Sequence, residues 1–413
     1  MIYLRIGFFT DTYSQINGVT ITIKALEKSL RHLGHEVFIF APRGEIGEAK
    51  DKPYLFTSES IRFILSPEYK WAIFPVFTIP QSNLGLDVIH VHSPVSMGLA
   101  GLVNAKRLGI PCIGSVHTLL PEFWKPFLEK YLSYIRPPLF DKVIKRFIKL
   151  VDRFSLINTT IDLGTFLMEE LTWRYYAEFF KRCDISLVPS VYAQNECQKH
   201  GFESKVLPNG IDFSKFHQVK DLQGFNQRWK LDPKDRVAIY VGRLSEEKNI
   251  NLILQSAHDV LKTVDHLKYM IVGDGPWRSK LERRIENYGI SDNVIFTGYL
   301  EQEALSECYS RATFFINASP LETQGLSVIE AMYFGCPILS IDSGAVAELF
   351  HDRPIGSVFK DSKDLSEKIY QLLTNQKSYQ LLRENARIKA REYDMNQFSS
   401  QLIAIYQDFI TKK

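Results

Sequence analysis

Residues 237–249 read VAIYVGRLSEEKN, and this stretch carries the clearest signal of the fold class. Its first five residues form an uninterrupted apolar run, which is typical of a strand buried on both faces of a parallel sheet. Gly242, Arg243 and Lys248 follow that run. Because open α/β sheets bind ligands at the carboxyl ends of their strands, these three residues mark a candidate binding edge.

The same alternation of apolar run and helical stretch continues through the second half of the chain. Further short apolar runs lie at residues 269–272, 294–296, 314–316 and 338–341. Strands that alternate with helices predict a doubly wound, mostly parallel sheet. This half is therefore predicted to form one Rossmann-like domain.

The first half repeats the pattern, with apolar runs at residues 6–9, 37–40, 88–92, 112–116 and 185–188. Between the first two runs, apolar residues recur every three or four positions, as in an amphipathic helix. Gly34 stands where a helix commonly ends. We predict an α/β protein of two Rossmann-like doubly wound domains that face each other across a cleft.

Turn-forming residues set the domain boundaries. Residues 207–210, LPNG, carry a turn signal between the two halves. We therefore predict a first domain at 1–206, a second at 207–392 and a final helix within 393–413. That helix carries apolar residues and needs a surface to cover.

Length and composition agree with a folded two-domain protein. The chain has 413 residues, 45% apolar and 23% charged, with a net charge of +3. Five scattered cysteines fit a reducing compartment, and no run is long and apolar enough for a membrane-spanning helix. We expect a cytoplasmic protein with no nucleic-acid partner, which docks from outside if it works at a membrane.

An insertion at residues 119–182 is longer than a single strand-to-strand crossover requires. Within it, residues 124–153 hold eight basic and three acidic side chains, interleaved with aromatic ones. Such a segment suits contact with an anionic membrane surface. The alternative is an amphipathic helical cap over the first sheet. The membrane candidates are Trp124, Lys142, Lys145, Arg146 and Lys149.

The most informative segment is 319–332, SPLETQGLSVIEAM. An apolar helical pattern starts after Gly325, so the N–H groups near Leu326 and Ser327 offer an anion site. Glu322 precedes this helix and Glu330 lies inside it, so the two carboxylates are expected to contact different parts of one ligand. The alternative is one capping and one surface glutamate.

Other strand ends add further candidates. Arg243 and Lys248 supply cations that could neutralise a diphosphate, although a solvated loop with a salt bridge is the alternative. The turn formed by Gly273, Asp274 and Gly275 could approach a ligand closely, although glycine turns are common.

In the first half, Asp11 and the pair Asn17-Gly18 follow the first strand, and His117 ends the strand at 112–116. Each could face the cleft. His90 and His92 share one strand face, but no third metal ligand is evident, so we favour a structural or cleft role over zinc. No metal site is predicted.

Taken together, these motifs resemble the retaining glycosyltransferases of family 4, which have the GT-B fold. The resemblance covers nearly the whole chain. Its most specific element is the Glu322–Glu330 pair, supported by Arg243 and Lys248, by residues 273–275 and by residues 208–212. Within the family, residues 9–13, 16–19 and 116–118 look most like the diacylglycerol glucosyltransferases. The chain departs from that group at residues 119–122, LLPE, where a Tyr-Glu pair is usual.

The resemblance implies a role for each residue. Residues 1–206 would bind the acceptor and residues 207–392 the nucleotide sugar, with the last helix crossing back to the first domain. Glu322 would contact the sugar and Glu330 the ribose. The implied catalytic residues are Glu322, His117, Arg243 and Lys248. The implied donor contacts are Gly18, Arg243, Lys248, Gly273, Asp274, Gly275, Glu322, Gly325, Leu326, Ser327 and Glu330, and the implied acceptor contacts are Asp11, Asn17 and His117.

The implied reaction moves a hexose, glucose from UDP-glucose, to a lipid such as diacylglycerol with retention of the anomeric configuration. It uses the nucleotide sugar as co-substrate and needs no cofactor or metal. Alternatives are a GDP-mannose donor or a non-lipid glycan acceptor. Two other classes are a sugar-nucleotide epimerase and a non-catalytic binding module. A Rossmann dehydrogenase is disfavoured because no Gly-x-Gly-x-x-Gly follows the first strand.

Overall fold

The computed structural model describes residues 2–15, 17–43, 53–62, 70–72, 84–119 and 160–412. Residues 124–149, on which the membrane candidates fall, lie outside this described part. Within it, no helix is long and apolar enough to cross a bilayer.

The N-terminal domain is built on a parallel sheet of seven strands. In spatial order the strands are β3 (Leu55–Ser58), β2 (Glu36–Pro42), β1 (Arg5–Phe9), β6 (Val88–Val91), β7 (Cys112–Ser115), β8 (Ile185–Val188) and β9 (Lys205–Val206). A separate antiparallel hairpin consists of β4 (Ser60–Arg62) and β5 (Lys70–Ala72). The helices of this domain are α1 (Gly18–His32), α2 (Ser96–Leu108), α3 (Thr160–Phe180) and α4 (Val191–Lys199).

The C-terminal domain has a parallel sheet of six strands in the order of a Rossmann sheet. These are β12 (Val294–Gly298), β11 (Leu267–Val272), β10 (Arg236–Val241), β13 (Phe314–Asn317), β14 (Ile338–Ile341) and β15 (Gly356–Phe359). Its helices are α5 (Gln223–Arg228), α6 (Ile250–Val260), α7 (Arg278–Tyr288), α8 (Gln302–Arg311), α9 (Leu326–Tyr333), α10 (Gly344–Glu348), α11 (Ser362–Thr374) and α12 (Gln376–Ala390). Short 3₁₀ turns lie at Phe213–Lys215, Glu246–Lys248, Ser291–Asn293 and Arg391–Tyr393.

Both sheets are buried on both faces, which explains their unbroken apolar strands. On β10, Val237 and Ile239 pack into one core, whereas Ala238 and Tyr240 pack into the core on the opposite face. Alternate residues of a strand point to opposite faces, so a doubly covered strand must be apolar throughout. The prediction of two Rossmann-like domains is confirmed. The hairpin, β3, β9 and β15 were not predicted.

The last helix, α13 (Met395–Thr411), packs on the N-terminal domain. Its apolar face joins the core beneath β1 and α1, where Leu402 is fully buried. The Tyr406 hydroxyl lies 2.6 Å from Nδ1 of His90, and Ser399 Oγ lies 2.8 Å from Ser29 Oγ. This helix therefore ties the end of the chain to its beginning.

Candidate active site

An ion pair at the predicted site joins two loops of the C-terminal domain. Lys248 ends the 3₁₀ turn after β10, and Glu322 lies in the loop between β13 and α9. Lys248 Nζ donates to Glu322 Oε1 at 2.5 Å, and each side chain is 23% exposed. Since β10 and β13 are neighbours at the point where the strand order reverses, the pair occupies the crevice where such sheets bind ligands.

Helix α9 begins beside this pair, as predicted from Gly325. This glycine is the N-cap, with a φ of 78°, and a Cβ there would lie 2.6 Å from Val346 Cγ2. Only glycine suits both the left-handed backbone and the close contact. The first N–H groups of α9, including those of Leu326 and Ser327, have no partner within the helix, so they are available to an anion.

Helix α1 of the other domain begins directly opposite. A Cβ on Gly18 would lie 3.3 Å from Leu326 Cδ1, so the first residues of α1 and α9 are near contact across the cleft. The N-termini of α1 and α9, each with a positive dipole end, therefore lie near each other. Gly18 thus lies where the sequence placed it, on the wall that faces the C-terminal domain.

Glu330 lies inside α9 and accepts a hydrogen bond from the Tyr309 hydroxyl at 2.8 Å. Burial raises the pKa of Glu330 to about 7, and the hydrogen bond from Tyr309 only partly opposes this. Glu330 also lines a small pocket between the domains, together with Thr22 of α1 and Lys215. A carboxylate in such a pocket can accept hydrogen bonds from ligand hydroxyls.

The turn at residues 273–275 supports the neighbouring loop. A Cβ on Gly273, whose φ is 125°, would lie 2.0 Å from the carbonyl oxygen of Gly242. A Cβ on Gly275 would lie 2.4 Å from that of Leu244. These glycines therefore let two backbone segments pack together, whereas the sequence analysis gave them a ligand contact. Their contact with the donor stays a prediction.

Asp274 and Arg243 are charged side chains of these two loops. Asp274 pairs with Arg278 at 3.2 Å, and its Oδ1 accepts from the N–H of Gly275 at 2.7 Å. Arg243 is exposed at the strand end, and its carbonyl accepts from the Tyr240 hydroxyl at 3.1 Å. Donor binding by either side chain stays a prediction.

Asn17 is the N-cap of α1, and Asp11 accepts hydrogen bonds from the start of α2. The Asp11 carboxylate is buried and accepts from Ser93 Oγ at 2.5 Å, from Ser96 Oγ at 2.6 Å and from the N–H of Met97. The Asn17 side chain accepts from the N–H of Thr20 at 2.9 Å. Both residues thereby fix helices whose ends border the cleft. Acceptor binding by them stays a prediction.

His117 follows β7 and contacts both domains. Its Nε2 lies 3.0 Å from Nδ1 of His92, and its carbonyl accepts from the Thr323 hydroxyl at 2.7 Å. Thr323 directly follows Glu322, so this bond brings His117 to the edge of the predicted donor loop. Burial lowers the pKa of His117 to about 4, so the ring is neutral near pH 7.

His90 is held at both ring nitrogens. Its Nδ1 pairs with Tyr406 at 2.6 Å and its Nε2 with Ser115 at 2.7 Å. Across the described ranges, no three His, Cys, Asp or Glu residues are grouped so as to hold a metal.

Sequence reasoning missed several partners of these residues. Asn209 and Gln324 form reciprocal buried hydrogen bonds: Asn209 donates to Gln324 Oε1 at 2.9 Å, and Gln324 Nε2 donates to the Asn209 carbonyl at 2.8 Å. They join the interdomain linker to the loop that holds Glu322. Glu348 accepts from the N–H groups of Val191 and Tyr192, at the start of α4 in the other domain. The sequence signal for these partners was the segment at residues 208–212, which contains Asn209 and supports the family resemblance.

Two family models match the chain side by side. The one described as Glycosyltransferase Family 4 matches residues 16–161, and the one described as Glycosyl transferases group 1 matches residues 224–389. Each model falls largely within one of the two Rossmann-like domains.

Curated relatives match over most of the chain. The alpha-monoglucosyldiacylglycerol synthase of Streptococcus pneumoniae is 27% identical and covers 94% of this chain and 85% of its own length. The enzyme of the same name from Acholeplasma laidlawii is 24% identical, over 99% of this chain and 98% of its own. A GDP-mannose-dependent alpha-mannosyltransferase of Mycolicibacterium smegmatis is 25% identical, over 84% and 82%.

Among solved structures, Anabaena Alr3699/HepE in complex with UDP and glucose superposes with a TM-score of 0.73 at 15% identity, over 98% of this chain and 100% of that one. The two facing Rossmann-like domains are the GT-B fold. The matches to both family models and to the curated relatives identify the family within this fold: the chain belongs to glycosyltransferase family 4.

Proposed function

We propose that this enzyme transfers glucose from UDP-glucose to a hydroxyl of a diacylglycerol lipid and retains the anomeric configuration. The observation that carries the proposal is the Lys248–Glu322 pair beside the start of α9, opposite Gly18 of the first domain. This arrangement offers cations and helix N–H groups for a diphosphate, with a carboxylate at the adjoining edge for a sugar.

The proposed chemistry depends on charge that develops as the glycosidic bond breaks. Lys248, Arg243 and the N–H groups at the start of α9 would stabilise the departing diphosphate. Glu322 would accept hydrogen bonds from sugar hydroxyls while its charge keeps Lys248 in place. Attack from the face that the leaving group vacates would retain the configuration, with a phosphate oxygen taking the proton of the acceptor hydroxyl. Neither a cofactor nor a metal enters this scheme.

The lipid acceptor and the glucose donor are supported by the relatives. Two proteins named for the synthesis of alpha-monoglucosyldiacylglycerol match over nearly the whole chain. The second candidate is mannosyl transfer from GDP-mannose, which the mannosyltransferase relative favours. A transferase acting on a non-lipid glycan, an epimerase and a non-catalytic module complete the alternatives.

The test is incubation of the purified protein with UDP-glucose, UDP-galactose or GDP-mannose, each with and without diacylglycerol. Lipid products are identified by mass spectrometry and their anomeric configuration by proton NMR. We expect an α-glucosyl lipid from UDP-glucose. If GDP-mannose yields a lipid product and UDP-glucose does not, UDP-glucose is refuted as the donor. A β-anomeric product refutes retention of configuration. Conversion of the UDP-sugar without acceptor indicates an epimerase.

The membrane contact is a separate proposal and rests on the composition of residues 124–153. Eight basic side chains there would be attracted by an anionic leaflet at about 1 kcal/mol each. We expect the protein to float with vesicles of phosphatidylglycerol and phosphatidylcholine. It should not float with vesicles of pure phosphatidylcholine. Charge reversal at Lys142, Lys145 and Arg146 should abolish flotation. Absence of binding by the wild type overturns the proposal.

A further inference from the structure

We propose that His92 is a positioning residue: its Nδ1–H donates to Nε2 of His117 and thereby holds the proton of His117 on Nδ1. This inference deepens the proposed function, since it rests on the role of His117 at the donor site. His117 would then present one fixed donor, Nδ1–H, to a sugar hydroxyl.

The geometry of the two rings supports a directed hydrogen bond. Nδ1 of His92 lies 3.0 Å from Nε2 of His117, the ring planes differ by 15°, and the ring centres are 5.3 Å apart. The distance between the ring centres is as long as the N···N distance plus the two centre-to-nitrogen distances, so the two nitrogens must lie close to the line that joins the ring centres. The shared proton therefore lies near the line between the ring centres and close to both ring planes, which is the favoured geometry.

Both rings are neutral, so the bond has one donor and one acceptor. Burial lowers the pKa of His92 well below its ordinary value and that of His117 to about 4. A neutral imidazole carries its proton on one nitrogen, and a hydrogen bond at the other decides which. Whichever ring donates fixes the tautomer of its partner.

The surroundings of His92 favour it as the donor. Its other nitrogen, Nε2, is buried and has no hydrogen-bond partner within the described residues. If His92 accepted through Nδ1, its proton would have to be on Nε2, as a buried N–H without an acceptor. Orphaned buried N–H groups are rarer than unsatisfied acceptors. His92 therefore donates through Nδ1, and its buried Nε2 carries no proton.

Neighbouring rings hold His92 in this orientation. The His90 ring lies against it, with centres 4.1 Å apart and planes at 28°, and Phe8 approaches edge-on at 4.7 Å. His90 is fixed in turn by hydrogen bonds to Tyr406 and Ser115. A packed series of side chains therefore runs from the last helix to His117.

His117 is also held from the other side. Its carbonyl accepts from Thr323, next to Glu322, so the residue is fixed to the donor loop through its backbone. Among the described residues, the hydrogen bonds of His117 use Nε2 and the carbonyl oxygen. In the proposed tautomer, Nδ1–H is the ring donor that His117 offers to a ligand.

The test uses protein labelled with ¹⁵N-histidine. Two-bond ¹⁵N–¹H correlation spectra at neutral pH report which nitrogen of each ring carries the proton, and a His117→Gln variant assigns the signal. We expect His117 protonated on Nδ1 in the wild type. In His92→Phe, which removes the donor, we expect a shift toward the Nε2–H form. His92→Asn, whose amide N–H lies near the position of Nδ1, should keep the wild-type tautomer.

Activity supplies the second measurement. We expect His92→Phe to lower kcat for glycosyl transfer by roughly tenfold or more, and His92→Asn to restore most of it. A wild-type signal from the Nε2–H form, or an unchanged tautomer in His92→Phe, overturns the inference. If His92→Phe does not fold, the wild-type spectrum decides alone. Because the spectra need no turnover, a protein with the expected tautomer but no transferase activity would refute only the proposed function.

Discussion

Lys248 Nζ lies 2.5 Å from Glu322 Oε1, although the two residues are 74 positions apart in the chain. The sequence assigned Lys248 to a diphosphate and Glu322 to a sugar, yet in the structure they bind each other. The two assignments are compatible, because a ligand that bridges them would meet a cation and an anion already held in place. Preorganised charges stabilise a transition state without reorganisation during the reaction.

Removing either member of this pair should sharply lower turnover while the protein stays folded. For Lys248→Ala or Glu322→Ala we expect kcat to fall by roughly 10²–10³-fold, about 3–4 kcal/mol in the barrier. Lys262→Ala is the matched control, because Lys262 lies just beyond the end of α6, is 57% exposed and forms a surface ion pair with Asp259 at 3.0 Å. Steady-state rates and circular dichroism spectra provide the measurements. Near-wild-type rates in either variant would refute the assignment.

Glu330 should make stability depend on pH. Burial raises its pKa from 4.5 to about 7, so the folded protein holds this proton more tightly than the unfolded chain. The stabilisation is complete below pH 4.5 and is lost as the pH rises through 7. Glu330→Gln keeps an acceptor for Tyr309 but cannot ionise. The difference in thermal midpoint between wild type and variant should therefore change between pH 5 and 8, in favour of the variant at high pH. If the thermal midpoints of wild type and variant change in parallel with pH, the prediction for Glu330 is wrong.

Gln324 should stabilise the joint between linker and donor loop. Gln324→Ala leaves the buried N–H of Asn209 without its acceptor, and we expect a loss of about 1–3 kcal/mol in unfolding free energy. Gln371→Ala, at an exposed position on α11, should change it by no more than about 0.5 kcal/mol. Urea denaturation measures both. Equal effects of the two substitutions would show that the joint contributes nothing specific.

Glu348 should favour contact between the domains. Its carboxylate accepts from backbone N–H groups at the start of α4, where a negative charge contributes about 0.3–1 kcal/mol. For Glu348→Ala we expect a roughly two- to fivefold higher KM for the nucleotide sugar and a larger radius of gyration in X-ray scattering. Glu367→Ala, exposed on α11, is the control. A variant that matches the wild type in both measurements would argue against this contribution.

The last helix should contribute directly to stability. Leu402 is completely buried against the first domain, so Leu402→Ala should lower the unfolding free energy by about 2–5 kcal/mol. Ile388→Ala, at a position 39% exposed on α12, should cost much less. Thermal unfolding followed by circular dichroism compares the two. Similar midpoints would mean that α13 is dispensable for the fold.

The local predictions succeeded where the signal lies in consecutive residues. The strands from β10 to β14 and the start of α9 at Gly325 follow from apolar runs and from one glycine. The hairpin of β4 and β5 was missed because three-residue strands carry too little pattern. Asp11 and Asn17 hold the starts of α2 and α1, and the sequence could not show this role because a polar residue after a strand gives the same signal whether it holds a helix or contacts a ligand.

The two doubly wound sheets, the cleft between them and the segments that border it could be predicted from the amino-acid sequence, because hydrophobic periodicity and glycine positions are local properties of the chain. The pairs of side chains that meet are visible in the folded chain alone: Lys248 with Glu322, His92 with His117, and Asn209 with Gln324. The last two pairs join residues 25 and 115 positions apart. Such contacts depend on how strands are ordered in a sheet and on how two domains face each other, and no local pattern encodes either.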